Sequence, residues 1–289
     1  MSYSEIYEKI GFKKEMERLE KQAYLGSEKE VRMLKLLGVK EDSDILEVGG
    51  GPGFFTKILL DNFSKCEVTS LDNDEKLLEY AYSNLNKEYG NRVSFVVDDI
   101  TSASIPDNYY ECVIARFVFQ HLNNPISALK EIYRILKPGG KVIIIDIDSE
   151  LWGLTYPKNN LIKALNDNLA KFQSNLNGNR EIGRVLITLL KSLGFVNYDI
   201  EAVINHSDIL GKDNFRYKIN SNMINDSKLS KMLDEYNNFF NLSYSSIMQL
   251  KLFFYGEKPK EARKTKKDIV TEKINETNRK ENEEISENK

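Results

Sequence analysis

The sequence predicts an α/β fold, a doubly wound and mostly parallel sheet of seven strands with helical insertions. Three observations carry that prediction. Short apolar runs alternate with helix-spaced runs from residue 28 to residue 147, the pattern of parallel strands joined by crossover helices. The first strand-like run ends in a glycine loop, DILEVGGGPGFF at 44–55, which lets backbone turn with φ > 0 or approach a ligand closely. The second ends in an acid, CEVTSLD at 66–72, where such sheets place a carboxylate for ribose hydroxyls.

Taken in order, EKEVRMLKLLG at 28–38 has helical apolar spacing and stops at a glycine. DILEVG is the first strand and FFTKILLDNF the helix opened by the glycine loop. CEVTSLD is the second strand, and DEKLLEYAYSNLNKEYG a helix closed by Gly90. RVSFVVDD and YYECVIARFV are the third and fourth strands. PISALKEIYRILKPGG is a helix with proline at its start and Pro-Gly-Gly at its exit, and KVIIIDID is apolar enough to be buried on both faces. LIKALNDNLAKFQ and REIGRVLITLLKSLGF follow as helices, then VNYDIEAVIN as a strand. Residues 227–241 form a further helix and SSIMQLKLFFYG is the last strand.

This order predicts one domain over 1–258, with N-terminal helices in 1–40 and lid insertions at about 150–181 and 207–241. Beyond residue 258 the chain mixes both charge signs without aromatics, so 259–289 is expected to be a disordered tail.

Composition narrows the function. A chain of 289 residues that is 41% hydrophobic can bury a large core. Net charge is −3, which supplies no field for nucleic acid or anionic lipid. No apolar run reaches the ~20 residues of a bilayer span, and the charged N-terminus lacks the apolar core of a secretion signal. The two cysteines, Cys66 and Cys112, sit apart inside strand-like runs and read as buried thiols. A cytoplasmic protein is expected.

The glycine loop then selects the ligand. The dinucleotide pattern G-x-G-x-x-G fails, because the third position is Phe54 or Thr56. A P-loop fails too, for lack of Gly-Lys-Ser/Thr. Glu47 beside the loop would repel a pyrophosphate and suits a ligand with a cationic end. Here the chain resembles the class I S-adenosylmethionine-dependent methyltransferases. The resemblance rests on EVGGGPG at 47–53, on Asp72, on FVVDDI at 95–100 and on ARFVFQHLNNPISALKEIYRILKPGGKVIIID at 115–146. It departs from many members at Gly50.

The resemblance implies a Rossmann-like sheet, S-adenosylmethionine as cofactor and a set of roles. Gly49, Gly51 and Gly53 would pass their backbone close to the methionine part. Glu47 would orient the loop and the methionine amino group. Asp72 would accept the ribose hydroxyls, with Asn73 beside the adenine. Asp99, favoured by the motif's spacing over its neighbour Asp98, which stays the alternative, would accept the adenine amine, and Ile100 would cover the ring. Arg116 would bracket the methionine portion with its backbone.

Methyl transfer from a sulfonium is a direct displacement that alignment can accelerate strongly, so a catalytic base is not required. The weak candidates are His121, after the fourth strand, and His206, after the sixth. Asp146, Asp148 and Glu150 could supply a base or, in pairs, hold a divalent ion, but no acid ends the fourth strand to complete a metal site, and none is expected. Trp152, Tyr156, Phe215 and Tyr217 could wall an acceptor pocket or pack in the core. The absence of Asn/Asp-Pro-Pro-Tyr/Phe and of a strand-end cysteine disfavours nucleic-acid bases. The expected acceptor is a small molecule methylated on O, N or C. A protein or RNA methyltransferase and a non-catalytic scaffold are the alternatives, and oligomeric state is left open.

Overall fold

The computed structural model describes residues 11–216 and 227–260. Tyr217 and residues 261–289, the bulk of the expected tail, lie outside the described residues. Helices α1 (Phe12–Tyr24) and α2 (Ser27–Leu36) precede strand β1 (Asp44–Val48). Then follow α3 (Phe54–Asn62), β2 (Glu67–Asp72), α4 (Glu75–Tyr89), β3 (Val93–Val97), β4 (Tyr110–Arg116), α5 (Pro125–Ile135) and β5 (Leu136–Asp146). The second half contributes β6 (Trp152–Tyr156), α6 (Asn160–Ser174), α7 (Leu186–Ser192), β7 (Val196–His206), α8 (Ser207–Leu210), α9 (Ser227–Phe239) and β8 (Ser246–Glu257).

Strands β3, β2, β1, β4 and β5 are parallel neighbours in that order. β8 runs antiparallel to β5 through residues 252–257, and β7 pairs antiparallel along its other edge. β6 is the eighth strand, one more than the sequence pattern reveals. It pairs with residues 246–249 of β8 and so extends the line of β5. Gly153, at φ +101°, and a register shift between Trp152 and Leu154 interrupt its alternation, which hides it in the sequence.

The central strands β1, β4 and β5 are buried on both faces, and the period of two assigns each residue to a side. Ile45, Ile114, Ile143 and Phe253 join one apolar layer with Leu34, Leu59 and Phe63. Their neighbours Leu46, Val113, Ile144 and Phe254 join the opposite layer with Leu129, Ile132 and Leu190. Both cysteines are buried free thiols. A third cluster, with Leu165, Phe215, Tyr236 and Phe240, binds α9 to α6.

Caps mark the helices. Asp74 accepts from the Leu77 amide ahead of α4, and Asn124 from Ser127 ahead of α5, where Pro125 occupies the first turn. Gly90 closes α4 with φ +54°. Two helices are shorter than their patterns. α5 stops at Ile135, and Lys137-Pro-Gly-Gly140 opens β5 instead. The run after Arg180 breaks into a 3-10 turn at Ile182–Arg184 and α7, because Gly183 is pinned against the Ile147 carbonyl.

Candidate active site

The carboxyl ends of the parallel strands border a cleft of about 550 Å³, where ligands bind in open α/β sheets. The turn from β1 into α3 forms one wall. Gly49, Gly51 and Gly53 all have positive φ, at +70°, +51° and +81°, and the amides of Gly49 and Gly50 donate to the Leu71 carbonyl at 2.7 and 3.1 Å. A Cβ on Gly49 would lie 2.3 Å from Val118; Gly53 does not line the cleft but packs against α4, where a Cβ would strike Leu85 and Ala81 at 2.8 and 2.9 Å. At Gly51 the same atom would meet nothing nearer than 3.9 Å, so that glycine serves the turn and leaves its cleft side bare. Gly50, the departure from the family pattern, has a local cause: a Cβ there would sit 1.9 Å from the Ser70 hydroxyl.

Four acids of the described residues stand around this turn. Glu47 is buried under it and accepts from the Thr56 hydroxyl at 2.5 Å. Burial pushes its carboxyl up to about 7, with the Thr56 hydrogen bond and Arg116 opposing. Asp72 accepts from the amides of Gly51 and Asp74 at 2.8 and 3.0 Å, and burial holds its carboxyl above the ordinary range despite those bonds. Asp99 is exposed and uses one oxygen, Oδ1, for both the amide and the hydroxyl of Thr101. Asp98 instead spends both oxygens on the amides of Asp99 and Ser104, and the Ser104 amide holds its carboxyl below the usual value. Of this pair, Asp99 keeps more accepting capacity for a ligand. Exposed Asn73 and buried Ile100 border the cleft between them.

Arg116 also borders the cleft, but its side chain turns away from it. The guanidinium is bidentate to Glu30 at 2.8 and 3.1 Å and donates to the carbonyls of Gln22 and Ala23. Glu30, fully buried, also takes an ion pair from buried Lys251. Burial works against the Glu30 charge, yet Arg116 and Lys251 outweigh it and hold the carboxyl low. Burial lowers Lys251 to about 8. Far from a surface ion pair, Arg116 belongs to a buried triad that ties β4 and β8 to α2. Phe117, next in the chain, adopts φ +57°, and its ring lies under the Arg116 guanidinium at 4.7 Å and edge-on to Trp152.

A second lobe of the cleft is walled by elements far apart in sequence. Arg18 and Gln22 come from α1, Gln120 and His121 from the 3-10 turn after β4, and Gln173 and Arg180 from the end of α6 and its loop. The Gln120 carbonyl accepts from Gln173 Nε2 at 2.6 Å and from the Asn179 amide at 2.7 Å, which latches that loop onto the turn. Behind it, Asp146 accepts from the amides of Gln120 and Ile147, and burial raises its carboxyl to about 7. His121 lies 3.4 Å from Gln173. Burial first, then Arg180 and Arg18, bring its imidazole down to about 4.

The sequence reading and the structure part company at several residues. His206 caps α8, accepting from the Asp208 amide through Nδ1, and does not line the cleft. Asp148 and Glu150 pair with Arg184 rather than a ligand. Asp146 backs the turn instead of facing acceptor. Trp152 supports Phe117 from outside the cleft, Tyr156 is exposed and Phe215 is core. Among the described residues, the 207–241 insertion packs on α6 and contributes nothing to the cleft wall. The cover comes from residues 173–180 and from α1. Arg18, Gln22, Gln120, Gln173 and Arg180 were missed; position after an ordered strand end offered a signal for Gln120 alone, as neighbour of His121.

The strand order, with its antiparallel β8 after five parallel strands, is the Rossmann-like arrangement that the resemblance to class I S-adenosylmethionine-dependent methyltransferases implies, and the turn flanked by Glu47 and Asp72 lies where that resemblance expects it. Residues 46–144 match the Methyltransf_11 methyltransferase-domain family model. Similar proteins include an uncharacterized methyltransferase of Schizosaccharomyces pombe, 35% identical over 42% of this chain and 45% of that protein. A ubiquinone/menaquinone biosynthesis C-methyltransferase, UbiE, of Pseudomonas aeruginosa is 27% identical over 46% of this chain and 50% of its own. The chain thus spans about half the length of the curated relatives it matches. A similar solved structure is phosphoethanolamine N-methyltransferase 2 of Haemonchus contortus with S-adenosyl-L-methionine, at TM-score 0.53 and 20% identity, covering 78% of this chain and 51% of that one. At that identity the likeness concerns the fold. No helix among the described residues is long and apolar enough to cross a membrane.

Proposed function

We propose that the protein transfers a methyl group from S-adenosylmethionine to O, N or C of a small-molecule acceptor. The observation that carries the reading is the bare turn at Gly49–Gly53 with acids on either side. Its glycine conformations let backbone meet a ligand, and Glu47, Asp72 and Asp99 offer acceptors where a pyrophosphate would be repelled. These groups fit the nucleoside: Asp72 for the ribose hydroxyls, Asn73 and Asp99 for the adenine, Ile100 for its face. Glu47 and the Arg116 backbone lie toward the methionine end. The cofactor supplies a methyl group already activated on a sulfonium.

The chain's own contribution is then alignment. Its one histidine on the cleft is neutral at pH 7 and a poor proton acceptor, and Asp146 stands behind the turn. The acceptor therefore brings its own lone pair, and any proton displaced by the methyl passes to water. Orientation of this kind can supply on the order of 7–11 kcal/mol. The small-molecule class is supported by the size of the cleft, about 550 Å³, and by the names of UbiE and the Haemonchus enzyme, each said of those proteins.

Calorimetric titration of the full chain with S-adenosylhomocysteine tests the reading. One-site binding is expected. No heat at millimolar ligand, or preference for a nicotinamide dinucleotide, would overturn it.

A further inference from the structure

The two lobes of the cleft carry opposite charge. Among the described residues, every carboxylate on the lining, Glu47, Asp72, Asp98 and Asp99, belongs to the glycine-turn lobe. The charged side chains on the far lobe are Arg18 and Arg180. Arg18 arises from α1 and Arg180 from the loop after α6, yet both act on the same imidazole, His121. Between them lies Gln120, only 4% exposed, whose Oε1 has no hydrogen-bond partner among the described residues. This unpartnered oxygen calls for a hydrogen-bond donor on a ligand, while the anion-binding groups of the lobe are the two guanidiniums. Arg18 already shares its guanidinium with Glu15, at 2.8 and 2.7 Å, and is half exposed. Arg180 is partly buried and touches the Gln173 oxygen at 3.4 Å, on the loop latched over the lobe.

We propose that this far lobe is an anion subsite, in which Arg180, assisted by Arg18, holds a carboxylate or phosphate group of the acceptor. A forked guanidinium matches either group through paired N–H donors. The arrangement also sorts the two ligands of the reaction. The cofactor's sulfonium and amino groups are drawn to the acidic lobe and an anionic acceptor to the basic one. The inference rests on the methyl-transfer reading for the identity of the anion as acceptor.

The test uses the full chain, with and without saturating S-adenosylhomocysteine, titrated with benzoate, phenyl phosphate and the neutral control benzamide. Either anion should bind about tenfold or more tightly than benzamide, and the tighter of the two identifies the group recognised. Arg180→Gln should remove about tenfold of that affinity, Arg180→Lys less, and Arg18→Gln a few-fold. Arg32→Gln, on the exposed side of α2, is the control and should change nothing. Nucleotide affinity in Arg180→Gln should match wild type, which separates loss of this subsite from failure of the cofactor reading. Benzamide binding as well as the anions, or anion affinity indifferent to Arg180→Gln, would overturn the subsite. So would absence of anion binding in a chain that binds nucleotide normally. Arg180→Lys keeps the question open to measurement if Arg180→Gln fails to fold.

Discussion

The two lobes of one cleft are built by different means. The glycine-turn lobe is local: residues 47–55, Asp72 and 98–100 come from consecutive strand ends, and much of its surface is backbone. The far lobe is assembled from α1, the turn after β4 and the loop after α6, and its surface is side chain. Backbone sites tolerate little change in residue type, because φ and steric room are at stake. Side-chain sites can be rewritten while the fold stays intact. A methyltransferase that keeps one donor and varies its acceptor needs this division.

The sharpest way to break the comparison is to remove the footing the lobes share. Arg116 ends β4 between them, and Glu30 holds both Arg116 and Lys251. Glu30→Gln leaves two buried cations facing a neutral amide. The expected cost is about 3–5 kcal/mol of stability, read by urea denaturation. Both lobes should lose binding together. Retained stability would mean that the triad is locally relaxed or hydrated.

Asp72→Ala should separate them. It removes the acceptor for the Gly51 and Asp74 amides together with the proposed ribose contacts, each charged hydrogen bond worth roughly 1.5–3 kcal/mol. Affinity for S-adenosylhomocysteine should fall about 10- to 100-fold, measured by calorimetry, while benzoate binding at the far lobe stays at the wild-type value. Wild-type nucleotide affinity would count against the assignment.

How far each lobe could be read from sequence follows from the same contrast. Glycines at positive φ and an acid at a strand end leave marks within a few residues, so Glu47, Gly49, Gly51, Gly53 and Asp72 were visible beforehand. Alternation likewise disclosed both faces of the sheet. Arg18 and Arg180 are 162 positions apart in the chain, and only the packing of α1 and the 173–180 loop across the strand ends brings them together. Arg116 was visible, but the burial of its side chain depends on Glu30 and Lys251, from α2 and β8. β6 escaped notice because five residues containing a glycine bulge carry too little alternation.

Glu47 on one lobe and His121 on the other should also titrate in opposite senses. Glu47 is raised from 4.5 to about 7, so the folded state favours its proton. The associated stability is full below pH 4.5 and lost as pH rises through about 7, roughly 3 kcal/mol at most. Asp146, raised for the same reason, adds in the same window. His121 is lowered from 6.5 to about 4, so its share is present above pH 6.5 and lost as pH falls toward 4. Glu47→Gln should therefore gain stability relative to wild type between pH 5 and pH 8 in thermal melts. It should also abolish the tightening of S-adenosylmethionine binding that ionised Glu47 would bring above pH 7. An unchanged pH profile would place the Glu47 charge elsewhere.

The smallest effect concerns the latch that gives the far lobe its cover. Gln173 and the Asn179 amide both donate to one carbonyl, that of Gln120. Gln173→Leu keeps the bulk of a side chain that is 8% exposed and deletes one of the two donors. The carbonyl stays satisfied by Asn179, so the cost should be about 0.5–1.5 kcal/mol and confined to the loop. Hydrogen exchange at the amides of Gly178 and Asn179 should quicken by about 2- to 10-fold, because local opening sets that rate, while the amides of Gly49 and Gly50 on the other lobe keep their protection. Equal quickening at both places would mean that the lobes open as one unit, and the division of labour drawn between them would fail at the level of dynamics.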